Sequence, residues 1–120
     1  MPEPARESEA LASEDAVFAV FQALSDPTRR EVLSLVAQGR ARTATELAAA
    51  LPVTRQAVAK HLAILEDARL VDAERAGRST RFRATPEPLE DAIAWMAEVG
   101  GRWDERLARL QAATQRRTGA

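Results

Sequence analysis

Apolar positions along the chain fall into helical stripes, separated by Pro, Gly and short polar clusters, with one stretch where the period drops to two. The first stripe is Val17, Val20, Phe21 and Leu24, the spacing of one helix face. Ser13 is placed to cap this helix, and Glu14 and Asp15 suit the positive end of its dipole. Ser25–Asp26–Pro27 ends it and opens the next helix, with Asp26 as N-cap and Pro27 in the first turn. That second helix is predicted to run to about Gln38, with Val32, Leu33, Leu35 and Val36 inward and Gly39 as its C-cap.

Thr43 to Val71, TATELAAALPVTRQAVAKHLAILEDARLV, holds two short helical patterns joined by a tight break. Thr43 and Glu46 have capping-box spacing, Leu47, Ala48 and Leu51 share a face, and Pro52 ends the helix. Thr54 then caps a second helix in which Val58, His61, Leu62 and Leu65 recur at i, i+3, i+4 and i+7. Small Ala48 and Ala57 allow the pair to cross closely. This is the pattern of a helix-turn-helix, whose second helix can lie in the DNA major groove. With Val58, Leu62 and Leu65 inward, Arg55, Gln56, Ala59, Lys60 and Ala63 face out. Donors at the N-terminal end, spaced by small side chains, suit close approach to phosphates and base edges. A merely solvated helix more often carries mixed Glu/Lys pairs there. Thr54 and Lys60 are expected to hold phosphates, Arg55 and Gln56 to reach bases, and Ala59 to permit the approach. His61, the chain's one histidine, is read as structural or phosphate-contacting.

From Leu70 to Ala84 the period changes. Leu70, Val71 and Ala73 on one side of Gly77, and Thr80, Phe82 and Ala84 on the other, predict a β-hairpin turning near Gly77–Arg78. Two strands alone are marginal, so the hairpin must pack on the helices, with Phe82 as its anchor. Arg75, Arg78, Arg81 and Arg83 crowd this short stretch. Charge on an exposed edge also prevents aggregation. Next to a candidate reading helix, however, Arg75, Arg78, Ser79 and Arg81 are assigned to a DNA-contacting wing.

The last helix is predicted from about Leu89 to Ala113. Its stripe, Leu89, Ile93, Met96, Gly100, Trp103, Leu107 and Leu110, steps by 4, 3, 4, 3, 4 and 3, a heptad-like seam interrupted by Gly100–Gly101. Helices as short as the others cannot cover it, which points to an intermolecular partner. Residues 1–12 and 114–120 are read as tails, leaving one domain over 13–113.

Composition narrows the picture. The 120 residues are 46% hydrophobic but only 4% aromatic, so the core is expected to be Leu, Val, Ile and Ala. With no cysteine, disulfides and thiolate metal sites are excluded, and the redox compartment stays open. No apolar run approaches a membrane span and no basic-then-apolar leader is visible, so a cytoplasmic protein without membrane contact is expected. Net charge is −1, yet residues 51–85 carry seven basic against four acidic side chains, while residues 1–24 carry one against five. A local basic face binds phosphates even on a mildly acidic chain. Catalysis is not expected: no Tyr, no Cys, one His and no Gly-rich phosphate loop leave no nucleophile–base arrangement.

Three segments together resemble the ArsR-type winged helix-turn-helix regulators of bacteria and archaea: ALSDPTRREVLSLV at Ala23–Val36, the Thr43–Val71 stretch, and AGRSTRFRAT at Ala76–Thr85. The match spans roughly residues 15–112. The resemblance implies a mainly α fold with a small β-hairpin, and a homodimeric transcription factor, most often a repressor. It also implies a dimer interface of first and last helices, here Val17, Phe21, Ile93, Met96, Gly100, Trp103, Leu107 and Leu110. Metal-sensing members place Cys in the first helix of the helix-turn-helix, where this chain has Thr45, Glu46 and Ala48. Others place His/carboxylate pairs on the last helix, which here holds Glu90, Asp91, Glu98, Asp104 and Glu105 but no histidine. The chain therefore resembles the metal-independent, SdpR-like branch, with no metal or other cofactor expected. Many members carry Gln at Arg55 and Ser at Ala59, so their operator is not assumed for this chain.

The expected function is a dimeric repressor that binds a palindromic double-stranded operator, its own promoter included. The alternative is a winged-helix module for protein–protein interaction, which the overall acidity favours and the retained Arg55, Gln56 and Lys60 oppose. A small-molecule effector leaves no motif to read.

Overall fold

The computed structural model describes residues 14–118. The expected tail at 1–12 and the Ser13 cap lie outside them. Helix α1 covers residues 14–23, followed by α2 (Pro27–Val36), β1 (Arg42–Thr43), α3 (Ala44–Ala49), α4 (Arg55–Asp67), β2 (Val71–Ala76), β3 (Ser79–Ala84) and α5 (Glu87–Thr118). The strands form one antiparallel sheet in the order β1-β3-β2.

Local chemistry sets most of these boundaries. The Asp26 side chain accepts from the Arg29 N–H at 3.0 Å, and Pro27 occupies the first turn of α2. The capping box at Thr43 is complete: its hydroxyl accepts from the Glu46 N–H at 3.1 Å, and Glu46 Oε1 accepts from the Thr43 N–H at 3.3 Å. Thr54 caps α4 by accepting from the Ala57 N–H at 3.1 Å. The C-terminus of α4 closes without glycine. Leu70 N–H reaches Leu65 O, Arg69 N–H reaches Glu66 O, and Arg69 sits at φ 61°. The hairpin turns at Gly77–Arg78 between paired Ala76 and Ser79, with φ 64° at Gly77 as a II′-type loop requires of its first residue.

The core is built around α4. Val58, Leu62 and Leu65 are fully buried, joined by Val20, Val32, Val36, Leu47 and Leu70. Phe82 is half-buried against this cluster and pairs across β3 with Ala73 on one side and Arg42 on the other. Helix α5 returns past α1, burying Ala92 and placing Trp95 edge-on to Phe21, ring centroids 5.6 Å apart at 67°.

Five boundaries differ from those the sequence predicts. Helix α3 ends at Ala49 with Ala50 as C-cap, so Leu51 lies beyond it and the helix stops before Pro52. Helix α2 ends at Val36, with Ala37 as C-cap; Gly39, at φ 126°, lies in the loop beyond. Strand β1 has only two residues, too short for alternation to show, and exists through its pairing with β3. Helix α5 starts at Glu87, because Pro88 is tolerated in a first turn whose N–H groups have no intrahelical partner. It also runs unbroken through Gly100–Gly101 and past Ala113 to Thr118, so the stretch expected as a tail from 114 is helical that far. Ala112, Ala113, Gln115 and Arg116 are all good helix formers, and no breaker comes before Gly119.

Candidate nucleic-acid interface

The buried stripe of α4 turns its opposite face outward. Thr54, Arg55, Gln56, Ala59, Lys60 and Ala63 are all exposed. The Thr54 oxygen is engaged at the cap, but its O–H stays available as a donor. Arg55 donates from Nε to Thr45 Oγ1 at 3.0 Å, a bond from the first turn of α4 to the first turn of α3. Thus α3 supports α4 from the side and fixes where its first arginine starts.

His61 does not join this face. It is half-buried, its Nδ1 is enclosed without a hydrogen-bond partner, and it lies near enough to Asp26 for its charge to help lower that carboxyl's pKa. The larger cause there is the Arg29 backbone N–H, opposed by desolvation. His61 is three residues from buried Val58, so it sits on the flank of the inward stripe, facing α2.

In the wing, Ser79, Arg81 and Arg83 share one face of β3, with Glu74 opposite Arg81 and Asp72 opposite Arg83. Arg81 is tied down. Its NH1 meets Glu46 Oε1 at 3.2 Å and Ala41 O at 3.4 Å. Glu46 is thereby shared between its helix cap and the wing, and its pKa lies below the usual range. The Thr43 backbone N–H and hydroxyl are the main causes, and the Arg81 and Arg40 charges add to them against desolvation. Sequence reading could not find this link, since the partners are 35 residues apart. Arg75, opposite Thr80, and Arg78, at the tip, are exposed and have no ion pair among the described residues. These two are the wing cations best placed to meet phosphate.

Arg29 and Arg30, in the first turn of α2, are structural. Arg29 NH1 donates to Gln22 O and Ala23 O at the end of α1, and Arg30 NH1 to Leu24 O just beyond it at 2.7 Å.

The residues expected to pair two copies divide. Ile93, Met96, Trp103, Leu107 and Leu110 are exposed, from 46% to 60%, along one side of α5. Gly100 lies among them with nothing within 4 Å of the space a Cβ would fill. Phe21 is half-buried against Trp95. Val17 is 6% exposed, covered by its own chain, whereas neighbouring Phe18 is 61% exposed. Helix α1 turns Val17 and Val20 inward together, which sends Phe18 outward, an apolar residue the stripe reading passes over.

Among the described residues, no group of three or more His, Asp or Glu side chains is placed to hold a metal ion, and no helix is long and apolar enough to cross a membrane.

A core-anchored α3–α4 pair followed by a basic antiparallel hairpin defines a winged helix-turn-helix. A helix-turn-helix domain family matches residues 24–74. The transcriptional repressor SdpR of Bacillus subtilis is 33% identical over 88 residues, which span 73% of this chain and 97% of that protein. Among solved structures, an ArsR-like transcriptional regulator from Rhodococcus sp. RHA1 aligns with a TM-score of 0.75 at 38% identity, covering 83% of this chain and 93% of that one. The homodimeric winged helix-turn-helix DNA-binding domain of a possible ArsR-family regulator from Mycobacterium bovis aligns at 0.58 and 31% identity, over 81% and 86% of the two chains. The chain belongs to the ArsR-type family of winged helix-turn-helix regulators.

Proposed function

We infer that this protein is a homodimeric, sequence-specific DNA-binding transcriptional repressor acting on a palindromic operator, its own promoter included. The observation that carries this reading is the outer face of α4's first two turns. It presents Arg55, Gln56 and Lys60 to solvent on a helix whose opposite side is fully buried, so the donors are held on a rigid support. Arg55 and Gln56 read base edges, Arg to guanine and Gln to adenine, while Thr54 and Lys60 hold phosphates. Arg75 and Arg78 carry the wing onto the flanking backbone or minor groove, with Ser79 beside them. The exposed seam of α5, together with Phe18, supports pairing with a second copy, because contiguous apolar surface on a small domain marks an interaction site. Two reading helices about 34–36 Å apart address half-sites centred about 10 base pairs apart, or a multiple of that. The named relatives, a repressor and a homodimeric DNA-binding domain, support the same assignment.

Selection from random duplex DNA tests it directly. The expected outcome is an enriched palindrome, with Arg55→Ala losing about 1–3 kcal/mol on that site and relaxing one position per half-site. Wild-type protein that prefers no duplex would instead favour the protein–protein module, and the repressor reading would go. With one histidine and no cysteine, regulation by a transition metal is not expected. Stoichiometric Zn²⁺ should leave operator affinity unchanged, and Zn²⁺-driven release of DNA would contradict this.

A further inference from the structure

We propose that Thr45 on α3 is a positioning residue that sets the base specificity of Arg55, an inference that rests on α4 being the reading helix. Arg55 begins that helix on a long, exposed side chain, which by itself would sample many rotamers. Its Nε donates to Thr45 Oγ1 at 3.0 Å, and this is the side-chain hydrogen bond that ties it to the fold. The geometry matters because a guanidinium has five N–H groups in a planar fork. With Nε committed to Thr45, the four remaining N–H groups lie on the two terminal nitrogens. That outer edge is the one suited to grip two acceptors side by side, as guanine O6 and N7 present them in the major groove.

The same bond explains why a threonine stands at an exposed helix position where Ala, Glu or Lys would favour the helix more. Residue 46, next along the same turn, holds Arg81 of the wing. Consecutive side chains of α3 thus hold one arginine from each basic element, and the helix-turn-helix is braced for reading before DNA arrives.

The test is a double-mutant cycle on full-length protein, with titrations on the selected operator and a scrambled duplex. Thr45→Val keeps the shape and branching of the side chain but removes the acceptor. It should weaken operator binding about 3- to 10-fold, the range set by losing one pre-ordered side chain, and shift scrambled-duplex binding less than about twofold, with an unchanged melting temperature. Selection with this variant should relax the same base position that Arg55→Ala relaxes. Thr45→Ser, which keeps the acceptor, should restore wild-type preference. In an Arg55→Ala background, Thr45→Val should cost nothing further. If Thr45→Val weakens both duplexes alike, or still costs affinity once Arg55 is gone, Thr45 meets DNA itself and the proposal is overturned. If Arg55→Ala relaxes a base position and Thr45→Val leaves it intact, the proposal is overturned while the repressor reading stands. If wild type prefers no duplex, the repressor reading falls and takes this one with it.

Discussion

Arg69 occupies a left-handed backbone conformation, φ 61°, at the position after the cap of α4 where helices usually place glycine. An L-residue pays there for crowding between its Cβ and the following carbonyl. Arg69→Gly should therefore stabilise the fold by about 0.5–1 kcal/mol after the added unfolded-state entropy of glycine is deducted. A raised melting temperature checks it. At this scale, capping was the legible part. Asp26, Thr43 with Glu46, and Thr54 all act over three residues, so their partners are adjacent in the sequence. Arg81 and His61 were not legible as they stand. One depends on Glu46 far along the chain, and the other on which flank of α4 meets α2.

At the scale of elements, the period of the apolar residues gave α3, α4 and the hairpin, because each buries one face against the same core. It failed where an element owes its form to a neighbour or to nothing at all. Strand β1 exists only by pairing with β3, and the end of α5 lacks any packing stripe to read. The seam of α5 separates assembly from folding in a way that can be measured. Leu107 is 48% exposed in the single chain, so Leu107→Glu should convert the dimer to monomer in sedimentation while the core around α4 stays folded. Gly100→Leu should behave likewise, since a side chain there meets nothing of its own protomer. Wild-type protein sedimenting as a monomer at tens of micromolar would remove the basis for both expectations.

Across the whole molecule, charge links stability to pH. Glu46 and Asp26 both have pKa values lowered in the folded state, chiefly by backbone N–H groups of Thr43 and Arg29. Lowered carboxylate pKa values contribute stability that is complete above the unfolded values and lost as pH falls through the folded ones. The melting temperature should therefore decline between about pH 5 and pH 3. Glu46→Gln should lower it at neutral pH and flatten the decline, leaving the share due to Asp26. An unchanged slope would show that the cap and the Arg81 contact carry no linked stability. The same variant removes the charge that Arg81 of the wing meets on α3, so its effect on DNA should exceed that of a surface charge elsewhere.

One consequence belongs to the far half of α5. Residues 101–116 are all exposed, about four turns of helix that no core supports. A helix of that length alone in water is marginal. Its order is then borrowed from whatever lies against it, which makes secondary structure there a function of how much protein is present. Amide exchange should report this. On dilution through the dimer dissociation range, protection of amides in 101–116 should fade, while amides of α4, locked behind Val58, Leu62 and Leu65, keep theirs. The tip of this helix would act as a gauge of its own protein's abundance.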